Sequence, residues 1–245
     1  MRTAVVIGAS GGIGSAIAQR LASDGFAVIA GYHTAADRAE NLVAALPGAG
    51  HLAMRISVLE SGTLDGLVES ISASSGRLDV LVNCAGVTRP VPHSDLDALD
   101  DDLIDHIFTT NWRGPFAAIR ALRSLLEKVD GSVVVNISSI AAVTAEGSNV
   151  AYCASKAALD SMTRSLARAL APRVRVVSVS PGWVLGAYAD RMPEAVLESQ
   201  RAGTPMARLA TPEDVAAAVS AAVNHLPFTT GAVIAVDGGR PLGAA

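Results

Sequence analysis

Charge is scarce in this chain, and long apolar runs and paired cysteines are missing. Asp, Glu, Lys and Arg make up 17% of the 245 residues, while half are hydrophobic. No stretch of eighteen uninterrupted apolar residues exists, which argues against a membrane span. The net charge of −4 comes with scattered basic residues, so there is no nucleic-acid footprint. The two cysteines, Cys84 and Cys153, form no CxxC pair and no metal-ligand pattern with the five histidines. A metal-free site in a reducing compartment is expected, with both cysteines as small packing residues. Met1 runs within two residues into Ala4-Val5-Val6-Ile7 and then glycines. That reads as a buried first strand, without the basic start and cleavage site of a signal peptide, so a cytoplasmic protein is expected.

What is present is alternation. Strand-like apolar runs occupy Thr3–Ile7, Ala27–Ala30, Leu52–Ile56, Val80–Val82, Ser132–Ile137, Arg175–Val179 and Ala232–Val236. Helical spacing marks Ile13–Ser23, Arg38–Leu46, Thr63–Ala73, Ile104–Lys128, Ala151–Leu170 and Pro212–Val223. Each parallel crossover needs a covering element, so this order predicts a parallel sheet with helices on both faces. Solid apolar runs suit strands covered twice, and they give the hydrophobic excess a place to go. With no linker, repeat or low-complexity tract, residues 1–245 are expected to form one doubly wound α/β domain with seven parallel strands. Ligands of such sheets bind beyond the carboxyl ends of the strands.

The first motif lies at such an end. Gly8-Ala9-Ser10-Gly11-Gly12-Ile13-Gly14 follows the first strand and opens the first helix. Glycines let a pyrophosphate approach the main chain, and the helix start supplies unpaired N–H groups. Asn83-Cys84-Ala85-Gly86 follows the fourth strand, Thr110-Asn111-Trp112 sits in a helical stretch, and Ser139 follows the fifth strand. Tyr152-Cys153-Ala154-Ser155-Lys156 begins thirteen residues after Ser139, Pro181-Gly182 follows the sixth strand, and Val236-Asp237-Gly238-Gly239 closes the seventh.

The Gly-x-x-x-Gly-x-Gly spacing and the order of these segments resemble the short-chain dehydrogenase/reductase family, over nearly the whole chain. The resemblance implies a Rossmann-type fold, a nicotinamide cofactor and oxidoreduction of an alcohol or carbonyl. It assigns Tyr152 as acid–base residue, supported by Lys156 and Ser139, with Asn111 holding a water that links Lys156 to solvent. Ser138 competes for the serine role, and the thirteen-residue spacing favours Ser139. The chemistry suits the residues. A free tyrosine, with a pKa of about 10, is a poor proton donor near neutrality. Tyr152 and Lys156 are four apart on one helix face, and an ammonium there would favour the phenolate. A serine hydroxyl can stabilise charge on the substrate oxygen.

Cofactor contacts are expected from Gly8, Ser10, Gly11, Gly12, Ile13, Gly14, Asn83, Ala85, Gly86, Pro181, Gly182 and Val184, as well as from Tyr152 and Lys156. The second strand ends Ile29-Ala30-Gly31-Tyr32-His33, without the carboxylate that usually holds the adenosine ribose. That favours NADP(H) over NAD(H), with His33 and Arg38 pairing with a 2′-phosphate. Two departures from the family weigh on the same end: Gly11 stands where many NADP-using relatives carry arginine, and Ser57-Val58 replaces Asp-Val beside the adenine.

Substrate choice is expected in the loop Ile140–Val150 and in a lid from Trp183 to Arg208, lined by Met192, Pro193 and Met206. Gly186 takes a position where the family commonly has threonine, and Glu146 lies near the mouth. Whole-chain spacing most resembles the 3-oxoacyl-(acyl-carrier-protein) reductases of fatty-acid and polyketide assembly. There Lys128 and Arg173, with Arg123 and Arg168, would form a basic rim for an acidic carrier protein. The long apolar helices suggest a dimer or tetramer. Two other readings stay open: a dehydrogenase of a free alcohol, sugar or cyclic ketone, and a cofactor-sensing protein without turnover.

Overall fold

In the computed structural model, residues 1–242 are described, and they form a seven-stranded parallel sheet in the order β3-β2-β1-β4-β5-β6-β7. The strands are β1 (Arg2–Ile7), β2 (Phe26–Tyr32), β3 (Leu52–Arg55), β4 (Val80–Asn83), β5 (Ser132–Ile137), β6 (Val174–Pro181) and β7 (Val233–Val236). The helices are α1 (Gly12–Ser23), α2 (Ala36–Ala45), α3 (Ser61–Ser74), α4 (Asp101–Phe108), α5 (Gly114–Leu126), α6 (Ala141–Thr144), α7 (Val150–Leu170), α8 (Glu194–Ala202) and α9 (Pro212–Asn224). The chain winds outward from β1 to β3, then returns to place β4 on the other side of β1. The reversal opens a crevice at the β1–β4 junction, beyond the strand tips.

Alternate strand residues feed two cores. Ala4 and Val6 of β1 pack with Ile17 and Leu21 of α1, Leu42 of α2 and Val215 and Val219 of α9. Val5 and Ile7 face the other way, against Leu67 and Ile71 of α3, Leu122 and Leu126 of α5 and Leu159 of α7. Each fully buried Leu, Ile or Val is worth about 1.5–3 kcal/mol, so the two cores fix the sandwich. Among the described residues no helix is long and apolar enough to cross a membrane.

One polar seam crosses the apolar interior. The Asn83 Nδ2 donates to Asn136 Oδ1 at 2.8 Å, and Asn136 Nδ2 donates to Thr163 Oγ1 at 2.8 Å. Thr163 Oγ1 then meets Ser178 Oγ at 2.9 Å. All four residues are buried, and they join β4, β5, α7 and β6.

The expected helix Ile104–Lys128 is two helices separated by a π turn over Thr109–Arg113. Pro115 has no N–H to give to the Asn111 carbonyl four residues earlier, so the regular ladder cannot run through. Gly114 N–H reaches back to Thr109 O instead. The lid also gains a helix, α8, where none was expected.

Candidate active site

The glycine loop is built by close approach. Gly8 has φ +89°, and its N–H donates to Gly31 O at 3.0 Å. A Cβ on Gly14 would fall 2.2 Å from Gly8 O, so this position admits only hydrogen. Gly12 meets nothing within 4 Å, and Gly11 only Gly8 O. Gly11 also makes no side-chain cap on α1. The first turn of α1 therefore presents uncapped N–H groups to open space, a cradle fitted to a dinucleotide pyrophosphate. Gly8, Gly11, Gly12, Ile13 and Gly14 all line one cavity of about 830 Å³. Ser10 is half-buried beside them.

The same cavity is lined by Ser139, Tyr152 and Lys156. Lys156 is buried, and its Nζ donates to Ile137 O at 2.8 Å while standing 5.8 Å from the Tyr152 ring centroid. Burial brings the Lys156 ammonium down to about 8, partly offset by Cys84 and Asp160. Burial pushes the Tyr152 phenol up, and the neighbouring Ser139 hydroxyl works the other way. The expected lowering of Tyr152 by Lys156 is thus not a feature of the chain itself. Desolvation is the largest influence on the phenol, and Ser139 is the neighbour that opposes it. Ser139 Oγ accepts from Ala141 N at 3.2 Å and stays half-buried, whereas Ser138 is buried with its Oγ unpartnered.

Asn149 is a residue that sequence reasoning missed. Its side chain caps α7 by accepting from Tyr152 N at 2.7 Å, and its Nδ2 donates to Arg89 O at 2.8 Å. An Asn three residues before the key Tyr was the available signal. Asn111 is fully buried; its Oδ1 accepts from Val87 N at 2.8 Å, and its Nδ2 donates to Val87 O and Ser155 Oγ. Both amide protons are committed, so the Asn111 side chain is a brace, while its main-chain carbonyl is denied the regular helical donor by Pro115.

Of the other expected contacts, some brace the loop and some line the cavity. Asn83 belongs to the polar seam, and Ala85 lies under Gly8, where a Cβ would meet Ala85 N at 2.7 Å. Gly86 lines the cavity, and a Cβ there would stand 3.4 Å from Asn111 Oδ1 and 3.7 Å from Lys156 Nζ. Cys84 also lines it, and burial pushes its thiol up to about 12, consistent with a packing role. Pro181, Gly182 and Val184 line the far wall, with Gly182 N donating to Val236 O at 3.1 Å.

The adenosine end departs from expectation. His33 Nε2 lies 3.8 Å from Glu60 Oε1, and Glu60 pairs with Arg55 at 2.6 Å. Arg55 sits opposite Tyr32 in the sheet register. A carboxylate therefore does stand here, supplied from the start of α3 instead of the tip of β2. Nothing in strand pattern links residues 33, 55 and 60. Arg38 is exposed and joins none of these pairs among the described residues. Ser57 is buried, its Oγ accepting from Leu59 N at 3.3 Å, and Val58 packs where a Cβ on Gly114 would meet it at 2.6 Å.

The lid lining also differs. Trp183, Leu185, Tyr188 and Gln200 line the cavity; Met192 packs into the lid's own small core, on which Trp183 also rests, and Met206 is exposed. Pro193 is the N-cap of α8. Gly186 has φ +125°, a conformation that threonine resists, which accounts for its glycine. Glu146 lines the mouth. Lys128 and Arg173 precede β5 and β6, at the amino edge of the sheet, while the cavity lies at the carboxyl edge; Lys128 Nζ is tied to Gly76 O at 2.9 Å. Among the described residues there is no His, Cys, Asp and Glu cluster able to hold a metal.

Comparison with known proteins agrees with this geometry. A family model described as Enoyl-(Acyl carrier protein) reductase matches residues 8–240. The chain belongs to the short-chain dehydrogenase/reductase family. It is an oxidoreductase acting on CH–OH or C=O groups with an NAD(P) nucleotide. It is 38% identical to a ketoacyl reductase assigned to the granaticin polyketide synthase of Streptomyces violaceoruber, covering 98% of this chain and 96% of that one. It is 36% identical to cis-4-hydroxycyclohexanecarboxylate dehydrogenase of Sinomonas cyclohexanicum, covering 97% and 96%. A solved short-chain dehydrogenase/reductase from Brucella melitensis superimposes with TM-score 0.90 at 28% identity, covering 98% and 96%.

Proposed function

We propose that this member of the family reduces the ketone of a 3-oxoacyl thioester to the secondary alcohol with NADPH. The observation that carries the reading is the convergence of Ser139, Tyr152 and Lys156 on one cavity whose other end is the glycine cradle. A nicotinamide cofactor bound there supplies the hydride. Tyr152, at working pH a neutral phenol, donates its proton to the carbonyl oxygen. Ser139 holds that oxygen as charge develops. Lys156 orients the ribose and passes a proton to Tyr152, replenished through water at the Asn111 carbonyl. The ketoacyl reductase relative supports the thioester, and a carrier protein is the proposed bearer of it. Because Lys128 and Arg173 lie at the far edge of the sheet, a carrier resting on them would serve the cavity of another copy. The exposed Trp112, stacked on Phe116 at 6.1 Å, offers α5 as the face where copies meet.

For the cofactor, the NADPH reading rests on the exposed Arg38, which joins no ion pair among the described residues, with Glu60 taken up by Arg55 and His33 beside them. A second reading, a free cyclic ketone or alcohol, is favoured by the Trp183 and Tyr188 rings on the lid and by the hydroxycyclohexanecarboxylate dehydrogenase relative. Steady-state oxidation of NADPH and NADH with a 3-oxoacyl thioester and with a cyclic ketone separates them. Faster turnover of the thioester with NADPH supports the proposal; turnover of the cyclic ketone alone sinks it. A cofactor sensor is tested by Tyr152→Phe, which should keep cofactor binding and lose turnover that the wild type shows.

A further inference from the structure

The cavity contains a cation that the reduction does not use. Its charged lining side chains are Glu146, Lys156 and Arg240. Lys156 is committed to Ile137 O and the reacting end. Arg240 is half-buried and makes one hydrogen bond, from Nη1 to Gln200 O at 3.0 Å, and no ion pair among the described residues. The remaining guanidinium N–H groups have no partner among the described residues.

The position is built. Arg240 follows Gly238 and Gly239, both at positive φ, which turn the chain back over the lid. A Cβ on Gly203 would fall 2.0 Å from Arg240 Nη1, so the guanidinium lies directly on the bare backbone at the end of α8. The parent strands of Glu146 and Arg240, β5 and β7, stand two places apart in the sheet, so the mouth has unlike charges on separate walls. A planar fork with free donors, partly out of water, is the side chain that receives carboxylate or phosphate most strongly.

We propose that Arg240 is a specificity residue that anchors an anionic group on the substrate, remote from the reacting carbonyl. It rests on the carbonyl-reductase reading for the place of that carbonyl. The anion is either the carboxylate of a free oxo acid or the phosphate of a pantetheine arm. Glu146 disfavours the reversed orientation, so the pair also sets which way an acidic substrate lies.

The test is equilibrium titration of the full chain saturated with NADP+, which allows binding without turnover. The probes are 3-oxocyclohexanecarboxylate against its methyl ester, and 3-oxobutanoyl phosphopantetheine against the unphosphorylated thioester. The wild type should bind the charged member of one pair about tenfold more tightly, and Arg240→Gln should erase that preference while leaving the neutral member unchanged. Arg240→Lys should restore part of it, lacking the fork. Which pair responds identifies the anion. Equal weakening of charged and neutral probes would make Arg240 a lid clamp and overturn the proposal. So would weakened NADP+ affinity in Arg240→Gln, or no charge preference in the wild type. Absence of turnover with any carbonyl, by contrast, sinks the reductase reading and leaves these binding results standing.

Discussion

The ammonium of Lys156 rests 2.8 Å from the carbonyl oxygen of Ile137, in a position where burial brings it down to about 8. Holding a charge there opposes folding. The unfolded chain binds more protons than the folded one between about 8 and the ordinary lysine value, so stability from this group rises with pH through that window. Below about 8 the penalty is fully present. Lys156→Met should therefore abolish turnover and stabilise the fold by ~1–3 kcal/mol at neutral pH, read as a higher urea midpoint. In the wild type, the reductive rate should fall as pH rises through about 8, as the ammonium is lost.

The glycine loop separates fold from binding. Gly14→Ala drives a methyl group into Gly8 O, so the backbone must shift, and the variant should lose several kcal/mol, about 2–4, in thermal or urea unfolding. Gly12→Ala has open space and should fold like the wild type, while a methyl group in the cradle weakens NADPH in a fluorescence titration.

Arg175 is a buried cation used as a helix stop. Its Nη1 donates to Ala222 O and Leu226 O at 3.0 Å each, holding the end of α9 and the turn beyond it. Arg175→Leu leaves these carbonyls without that donor and should cost about 1–3 kcal/mol, with little change in KM.

At the other end of α9, Thr211 and Asp214 form a capping box, and Arg208 holds the Asp214 carboxyl down to about 2. A lowered carboxyl stabilises above its unfolded value and loses that contribution as pH falls toward 2. Thr211→Ala should cost about 1 kcal/mol at neutral pH. Asp214→Asn should flatten the acid side of the stability curve, measured as melting temperature against pH.

Much of this was legible in the sequence. The solid runs Ala4–Ile7 and Val133–Ile137 have one solution, a strand covered on both faces. Tyr152 and Lys156 share a helix, so their partnership is local. The break at Thr109–Arg113 was hidden because apolar spacing continues across it, although Pro115 was the cue. The grouping of His33, Arg55 and Glu60 was not legible at all, since it depends on where β3 ends and how α3 begins. The lid lining was misplaced for a similar reason: α8 turns Met192 into a local core and leaves Trp183 and Tyr188 lining the cavity.

The seam from Asn83 through Asn136 and Thr163 to Ser178 has a consequence for how this chain can change. Asn83 stands opposite Asn136, and Asn136 opposite Ser178, in neighbouring strands. A slip of one residue would bury unmatched amides on both faces, so the seam proofreads strand alignment. Ser139, three residues beyond Asn136, inherits that alignment, as does Cys84 next to Asn83. A drift to Asp or Leu at any one of the four strands its partner in a dry interior. Descendants of this sequence should therefore exchange these residues in sets, and keep the catalytic tips level while the surrounding lid diverges.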